Sequence, residues 1–492
     1  MRFVLDTRYR FRGWQKARAG LFDCAFKRAT FLSREEYQLL LQCDGAHDLD
    51  LDKLSDEQRD FLEKQLEKGI VRPAARAEYL LPEQEYTVYP AEYKEEVQWS
   101  ITGACNLKCR HCFMSAPHAK HGAPTHEQIV RIADQLSECG VFRVGLTGGE
   151  PLVRDDLLEI IDALREREIG VSTIYTNGWL LDETFLDELD MRRMHPNFQL
   201  SYDGVGWHDF LRGVPGAEER TIEALKLLQA REYNVSIGMC LHRKSRHVLR
   251  ESVNLLASLG VRSLKCGAMQ EQGEWLSPEV RELQLTPEEE LQMFVEYIPK
   301  YFEDDAPLSI MMGGAFMYTP GNARWGAFNL KECPVEMEGK VLACGVLLTH
   351  FYIGAEGMVC PCMGMADTSY AGSFPNLLEE PLSDILSDSD FTRLCRATVA
   401  DVRDRNPKCR ECEHMPLCGA GCRNAVLIAG EGYFGIDPAL CWYFENDGPA
   451  RIEAAAKAPF EAYLKRNPPK EEREDQTEGL DEQVDISLLE CP

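Results

Sequence analysis

The chain has 492 residues, 44% of them hydrophobic, and a net charge of −27. That is length for about three domains and an ordinary globular composition. No apolar run approaches the ~18 residues of a membrane span, the start MRFVLDTRYRFRG lacks the apolar core of a secretory signal, and so acidic a surface repels phosphate backbones; nucleic acid and membrane are excluded as expected partners, and the expected location is cytoplasmic.

Residues 1–90 read as strands RFVLD (2–6) and RYRFRGW (8–14), helices SREEYQLLLQCDG (33–45) and LSDEQRDFLEKQLEKGI (54–70), then IVRPA (70–74). This predicts a small strand-plus-helix module of winged-helix type. Its first twenty residues hold six bases and one acid, a local patch that would suit an acidic peptide. From Val97 the pattern changes. Short apolar runs VQWSIT (97–102), FRVGLT (142–147), VSTIYT (171–176), FQLSYD (198–203), VSIGMC (235–240) and RSLKCG (262–267) alternate with amphipathic helical stretches, several ending in Gly. Six strands separated by five helices predict parallel β/α units curling into an open, partial (β/α)6 barrel over residues 91–310. Such folds place chemistry on loops at the carboxyl ends of the strands. Residues 311–450 are rich in Cys, Gly and Pro with few periodic segments, a composition that calls for metal staples. Residues 451–492 read as a helix running into an acidic disordered tail, with nine acids and two bases after Pro469.

The 19 cysteines are unevenly spread, and nine fall between Cys344 and Cys441. In a reducing compartment clustered cysteines point to metal. Cys24, Cys43, Cys139, Cys240, Cys266 and Cys395 read as buried small hydrophobes. Cys105, Cys109 and Cys112, spaced C-x3-C-x2-C, lie directly after the first barrel strand. Three thiolates can hold three irons of a four-iron cubane and leave the fourth open. A zinc site would need a fourth local ligand, and His111, wedged between Cys109 and Cys112, fits a tetrahedron poorly.

Spacing and placement together resemble the radical SAM family, in which the amino and carboxylate groups of S-adenosylmethionine fill that open position. LTGGEPL (146–152), after strand two, is similar to the family's glycine-rich motif: Gly148 and Gly149 would let backbone approach a ligand, and Glu150 would meet an ammonium. His111 stands where the family packs a ring near the adenine. YTNG (175–178) and LSYDG (200–204) resemble its ribose- and methionine-facing loops, which assigns Asn177, Ser201 and Asp203 to the same cofactor. The resemblance implies a 5′-deoxyadenosyl radical that takes hydrogen from an unactivated C–H. No catalytic side chain beyond the cluster is assigned.

The second array runs Cys344-x12-Gly357-x4-Cys362, then Cys409-x2-Cys412-x5-Cys418-x3-Cys422, then Cys441. It resembles the SPASM domain, which implies two auxiliary four-iron clusters and three in all. Cys409, Cys412, Cys418 and Cys441 would hold the distal one. Cys344, Cys362 and Cys422 would hold the nearer one, with Cys360, Cys333 or an open site as its fourth position. Met363 stands where sulfatase-maturing relatives carry an Asp base, which disfavours formylglycine formation. Residues 8–75 resemble peptide-recognition domains fused to maturases of ribosomally made peptides. The expected function is therefore cross-linking of a precursor peptide, as a Cys thioether, with the leader held by residues 1–90 and electrons from a flavodoxin or ferredoxin. The alternatives are a small-molecule dehydrogenase, another peptide modification such as a C–C cross-link or epimerisation, and a non-enzymatic iron–sulfur electron carrier or scaffold.

Overall fold

The computed structural model describes residues 1–116, 121–269, 271–330 and 333–469. The acidic tail from Lys470 onward, with Cys491, lies outside the described residues.

In the N-terminal module β1 (Phe3–Leu5) pairs antiparallel with β5 (Val71–Pro73). β2 (Tyr9–Gln15), β3 (Gly20–Asp23) and β4 (Arg28–Phe31) form an antiparallel meander, and β6 (Thr87–Glu92) lies parallel to β2 on its far side. The sequence reading places no strand between Trp14 and Ser33. β3 and β4 are four residues each, too short to show alternation, and they form on the edge that β2 offers. α1 (Arg34–Leu41) and α2 (Asp56–Glu67) begin at Ser33 and Ser55, whose hydroxyls accept the N–H of Glu36 and Gln58 while those side chains bond back. Leu39, Leu40 and Leu62 close a core with Phe3, Leu5, Phe11 and Val71. Trp14 and Phe22 point the other way, into the main core. Trp14 Nε1 donates to the Gly140 carbonyl at 3.3 Å, and Phe22 meets Phe142 at 5.1 Å between ring centroids. The module is thus apolar on two faces and fixed to the barrel.

The six predicted barrel strands all form: β7 (Glu96–Ser100), β8 (Arg143–Thr147), β9 (Gly170–Thr176), β10 (Asn197–Ser201), β11 (Val235–Leu241) and β12 (Ser263–Ala268). Neighbours in sequence are neighbours in the sheet, and every pair is parallel. α3 (His126–Glu138), α4 (Leu157–Glu166) and α5 (Glu183–Met191) supply the first crossovers, and their apolar stripes pack on the outer face. The inner face differs: β11 alternates buried and half-buried along its length. A closed barrel would fill that interior with side chains. Here the sheet stays open, so Gln199, Ser201 and Lys265 line a cavity instead.

Four strands beyond the prediction extend the sheet to ten. β13 (Ser309–Met312) and β14 (Phe316–Tyr318) add to β12. On the opposite edge β15 (His350–Ile353) lies parallel to β7, and β16 (Val359–Cys360) pairs antiparallel with it. The cysteine-rich region therefore begins as a continuation of the barrel sheet. Nor does it lack a core: Leu377, Leu382, Ile385 and Phe391 are buried in the same cluster as the barrel. Their helices, Leu382–Ile385 and Asp390–Cys395, are too short to show a period. A final helix, Gly448–Arg466, lays Phe460 and Tyr463 against Phe302 and Tyr318. No helix among the described residues is long and apolar enough to cross a membrane.

Candidate active site

The chain leaves β7 into the three-cysteine loop, and the glycine-rich segment after β8 is stitched to it. Gly149 N–H donates to the Thr102 carbonyl and Glu150 N–H to the Ala104 carbonyl, both at 2.9 Å. A Cβ at Gly148 would lie 2.2 Å from Thr102 O, and one at Gly149 2.2 Å from Ala104 O. The two glycines thus serve a close approach between main chains, and the partner is the cysteine loop itself.

Each sulfur of the loop receives N–H donors. Leu107 N–H reaches Cys105 Sγ at 3.4 Å, Ala116 N–H reaches Cys112 Sγ at 3.3 Å, and Arg212 Nη1 reaches Cys109 Sγ at 3.8 Å. Burial pushes the Cys105 thiol up to about 12 and raises Cys109 and Cys112 as well. Such thiols keep their protons until a metal displaces them. Sulfurs on one tetrahedral zinc stand about 3.8 Å apart; among the described residues no three cysteine sulfurs lie within 4.8 Å of one another. A cubane, which gives each thiolate its own iron, needs the wider spacing. The donor set fits a four-iron cluster better than a single ion.

Around this loop sit the other residues singled out in the sequence. Glu150 is 1% exposed; its Oε1 accepts from Thr176 Oγ1 at 2.7 Å and its Oε2 from Asn177 N–H at 2.7 Å. Burial pushes its carboxyl up to about 7 despite these donors. Asn177 donates through Nδ2 to Asn106 Oδ1 at 2.9 Å, which ties the β9 loop to the cysteine loop. Ser201 ends β10 on the cavity wall. His111 lines the same cavity with Nδ1 3.3 Å from Leu211 O, and burial holds it down to about 4, so the ring is neutral at pH 7.

Asp203 is placed differently from the expectation. It is fully buried, and the wall in front of it is Arg212, whose Nε and Nη2 donate to its two oxygens at 2.8 and 3.1 Å. Burial opposes its ionisation, but the Arg212 guanidinium overcomes this and holds the carboxyl well below the usual range. Asp203, His111 and Cys240 offer donor atoms within 4.8 Å of one another, yet the guanidinium already fills the cation's role. Arg212, at the end of the short helix His208–Arg212, is the residue that sequence reasoning missed. The motif DFLRG carries no periodic or spacing signal to find it.

In the second array Cys344 and Cys422 bear on Cys362: burial first, and then these two neighbours, push its thiol up to about 12. Cys409 and Cys412 pack together with Cys333, and Cys441 lies within electrostatic reach of Cys409. Cys418 ends the helix Met415–Cys418 on the cavity wall. Cys360 is buried in the main core, with its thiol donating to the Cys362 carbonyl at 3.3 Å and Cys395 beside it. Cys333 thus falls with the Cys409 group, and Cys360 lies behind Cys362 in the core.

Residues 99–256 match the radical SAM superfamily, and residues 344–413 match SPASM, an iron–sulfur cluster-binding domain. The chain carries a radical SAM domain followed by a SPASM domain. It is 26% identical over 370 residues to the AdoMet-dependent heme synthase of Methanosarcina barkeri, covering 70% of this chain and 96% of the relative. It is 26% identical over 336 residues to the PqqA peptide cyclase of Granulibacter bethesdensis, 67% of this chain and 83% of that one. Streptococcus suis SuiB, solved with S-adenosylmethionine, has the same fold, with a TM-score of 0.59 at 18% identity over 89% of this chain and 99% of its own. The radical SAM domain binds a four-iron cluster and S-adenosylmethionine, and the SPASM domain binds auxiliary iron–sulfur clusters. The first match spans every residue around the three-cysteine loop, from Cys105 to Arg212. The second ends between Cys412 and Cys418.

One cavity of about 2650 Å³ joins these parts. Its wall includes β4 of the N-terminal module, the three loop cysteines, Arg212, and Cys344 and Cys422. The expected use of the basic N-terminal strands does not fit it. Arg8 is paired with Asp23 at 2.6 Å and Arg10 with Glu168 at 2.8 Å, and buried Arg12 donates to the carbonyls of Phe11, Glu85 and Glu83. Each of the three has partners within the chain, so the charge seen in the sequence is already engaged.

Proposed function

We propose that this enzyme matures a ribosomally made precursor peptide, joining a Cys sulfur to a peptide carbon as a thioether, with the leader held by the N-terminal module. The observation that carries the reading is the single cavity running from β4 to the three-cysteine loop and on to Cys344 and Cys422. A chain entering along β4 would reach both the three-cysteine loop and the SPASM cysteines within this one cavity. The names of relatives support it, since one is a PqqA peptide cyclase and SuiB has been solved with its precursor peptide SuiA.

When bound, the cluster and S-adenosylmethionine supply a 5′-deoxyadenosyl radical that takes hydrogen from an unactivated C–H. The protein's own groups do the rest. Cys105, Cys109 and Cys112 would hold the cluster, and Glu150, Asn177 and Ser201 would position the cofactor. Arg212, fixed by Asp203, sets a permanent positive charge beside Cys109. β4 is the outer strand of its four-stranded sheet, where an extended peptide would add as a further strand. Tethering the leader there raises the local concentration of the reacting segment.

The test compares a Cys-containing precursor peptide, sought among the neighbouring genes, with the same peptide lacking its leader. Product and 5′-deoxyadenosine are followed together. The full precursor should be cross-linked, whereas the leaderless peptide should leave cofactor cleavage uncoupled from product. Equal cross-linking of both peptides refutes the leader role. No product from either, with a small molecule consumed instead, turns the reading toward a chemistry like that named for the heme synthase relative.

A further inference from the structure

Arg423 follows Cys422 directly and opens the short helix Arg423–Ile428. Its side chain is 1% exposed. Nη1 donates to Tyr433 O at 2.9 Å and Gly435 O at 3.0 Å, and Nη2 donates to the Ala420 carbonyl. Nε, also buried, has no hydrogen-bond partner among the described residues. Asp437, the carboxylate that bears on it, is committed elsewhere: its oxygens accept the N–H groups of Cys422 at 2.9 Å and Leu440 at 3.0 Å.

A guanidinium keeps its proton in proteins, and a buried charge is strongly unfavourable unless an opposite charge compensates it. The anionic groups within electrostatic reach of Arg423 are Asp437 and, once they ligate iron, the cysteines. Cys422 and Cys344 of the nearer group act on it, and it acts on Cys409 of the distal group. Its Nη2 is tied to Ala420, which packs with Cys409 and Cys412, and its main chain follows Cys422 directly, so one fixed cation sits between the two cysteine groups.

We infer that Arg423 is a charge-compensating residue shared by the two auxiliary clusters, which raises the reduction potential of both. The inference rests on the assignment of the SPASM cysteines and holds whatever the substrate is. A thiolate-ligated cubane is anionic, and reduction adds one more negative charge to a buried site. A nearby cation stabilises the reduced form more than the oxidised one, and the low dielectric of the interior screens it little. A cluster tuned in this way is suited to receive an electron. The three carbonyls fix where the charge sits, and Nε keeps one N–H uncommitted among the described residues.

The test uses full-length protein in which Cys105, Cys109 and Cys112 are all Ala, so that only auxiliary iron remains. Arg423→Gln and Arg423→Lys are compared in that background by iron content and by EPR-monitored redox titration. We expect Arg423→Gln to shift both auxiliary midpoints to lower potential and Arg423→Lys to stay close to the parent. Unchanged midpoints in a fully loaded Arg423→Gln protein overturn the inference. Should Arg423→Gln fail to hold iron, Arg423→Lys decides. A loaded Lys variant with parental midpoints supports a charge role. Equal loss in both variants shows a mere brace of carbonyls and overturns it. A parent without auxiliary iron overturns the cysteine assignment, and the inference falls with it, by a signature distinct from unchanged midpoints.

Discussion

Gly149→Ala is the sharpest probe of the cysteine loop. The new Cβ would lie 2.2 Å from the Ala104 carbonyl oxygen and 2.6 Å from its carbon, both main-chain atoms that no side-chain rotation can move aside. A comfortable C···O separation is about 3.3 Å, so the two segments must part by about 1 Å. Such a shift would stretch the Gly149-to-Thr102 and Glu150-to-Ala104 hydrogen bonds, now both 2.9 Å, beyond useful range. Two such bonds are worth about 1–3 kcal/mol together, and overpacking adds about 1–3 kcal/mol. Function should suffer more than stability, because Ala104 immediately precedes Cys105 and a 1 Å misplacement costs about 10²-fold in rate. The assay is 5′-deoxyadenosine formation by reconstituted enzyme with dithionite and S-adenosylmethionine, alongside the melting temperature. Gly372→Ala serves as control, since a Cβ there meets nothing within 4 Å. A Gly149→Ala enzyme with the parental rate and melting temperature would falsify the view that the glycines exist for this close approach.

Asp203→Asn should destabilise the protein by about 3–5 kcal/mol, because it leaves buried Arg212 without its partner; denaturant unfolding of the apo form reads this, and a loss under 1 kcal/mol contradicts the pairing. Burial raises the carboxyl of folded Glu150 to about 7 from its ordinary value of 4.5. Between those two pH values the native state holds a proton that the unfolded chain has lost, so this group makes stability fall as pH rises. Glu150→Gln should remove that part of the decline, and melting curves at pH 5 and 7.5 that keep the same difference would show the carboxyl ionised throughout. Phe26, 68% exposed where the β3–β4 turn meets the cavity, is a candidate peptide anchor. Phe26→Ala should raise the precursor's KM about tenfold, in line with about 1–2 kcal/mol for an interface aromatic, while uncoupled cofactor cleavage stays as it was.

What the sequence determined by itself was local or strictly spaced. The barrel strands were legible because each is a run of five to seven residues between helices with clear apolar stripes. The cysteines were legible because ligand spacing is written directly along the chain. Tertiary structure decided everything that depends on which distant segments meet. β3 forms against β2 and β4 against β3, and β15 lies against β7, 254 residues earlier by the pairing of His350 with Glu96. Charge was the least legible property. Arg8, Arg10 and Arg12 look like a binding patch in sequence and are consumed by Asp23, Glu168 and three carbonyls. Arg212 and Arg423 look like ordinary surface arginines, and folding buries both beside cysteines. Sequence states how many charges a chain carries; only the fold states which ones are neutralised internally and which are left facing a site.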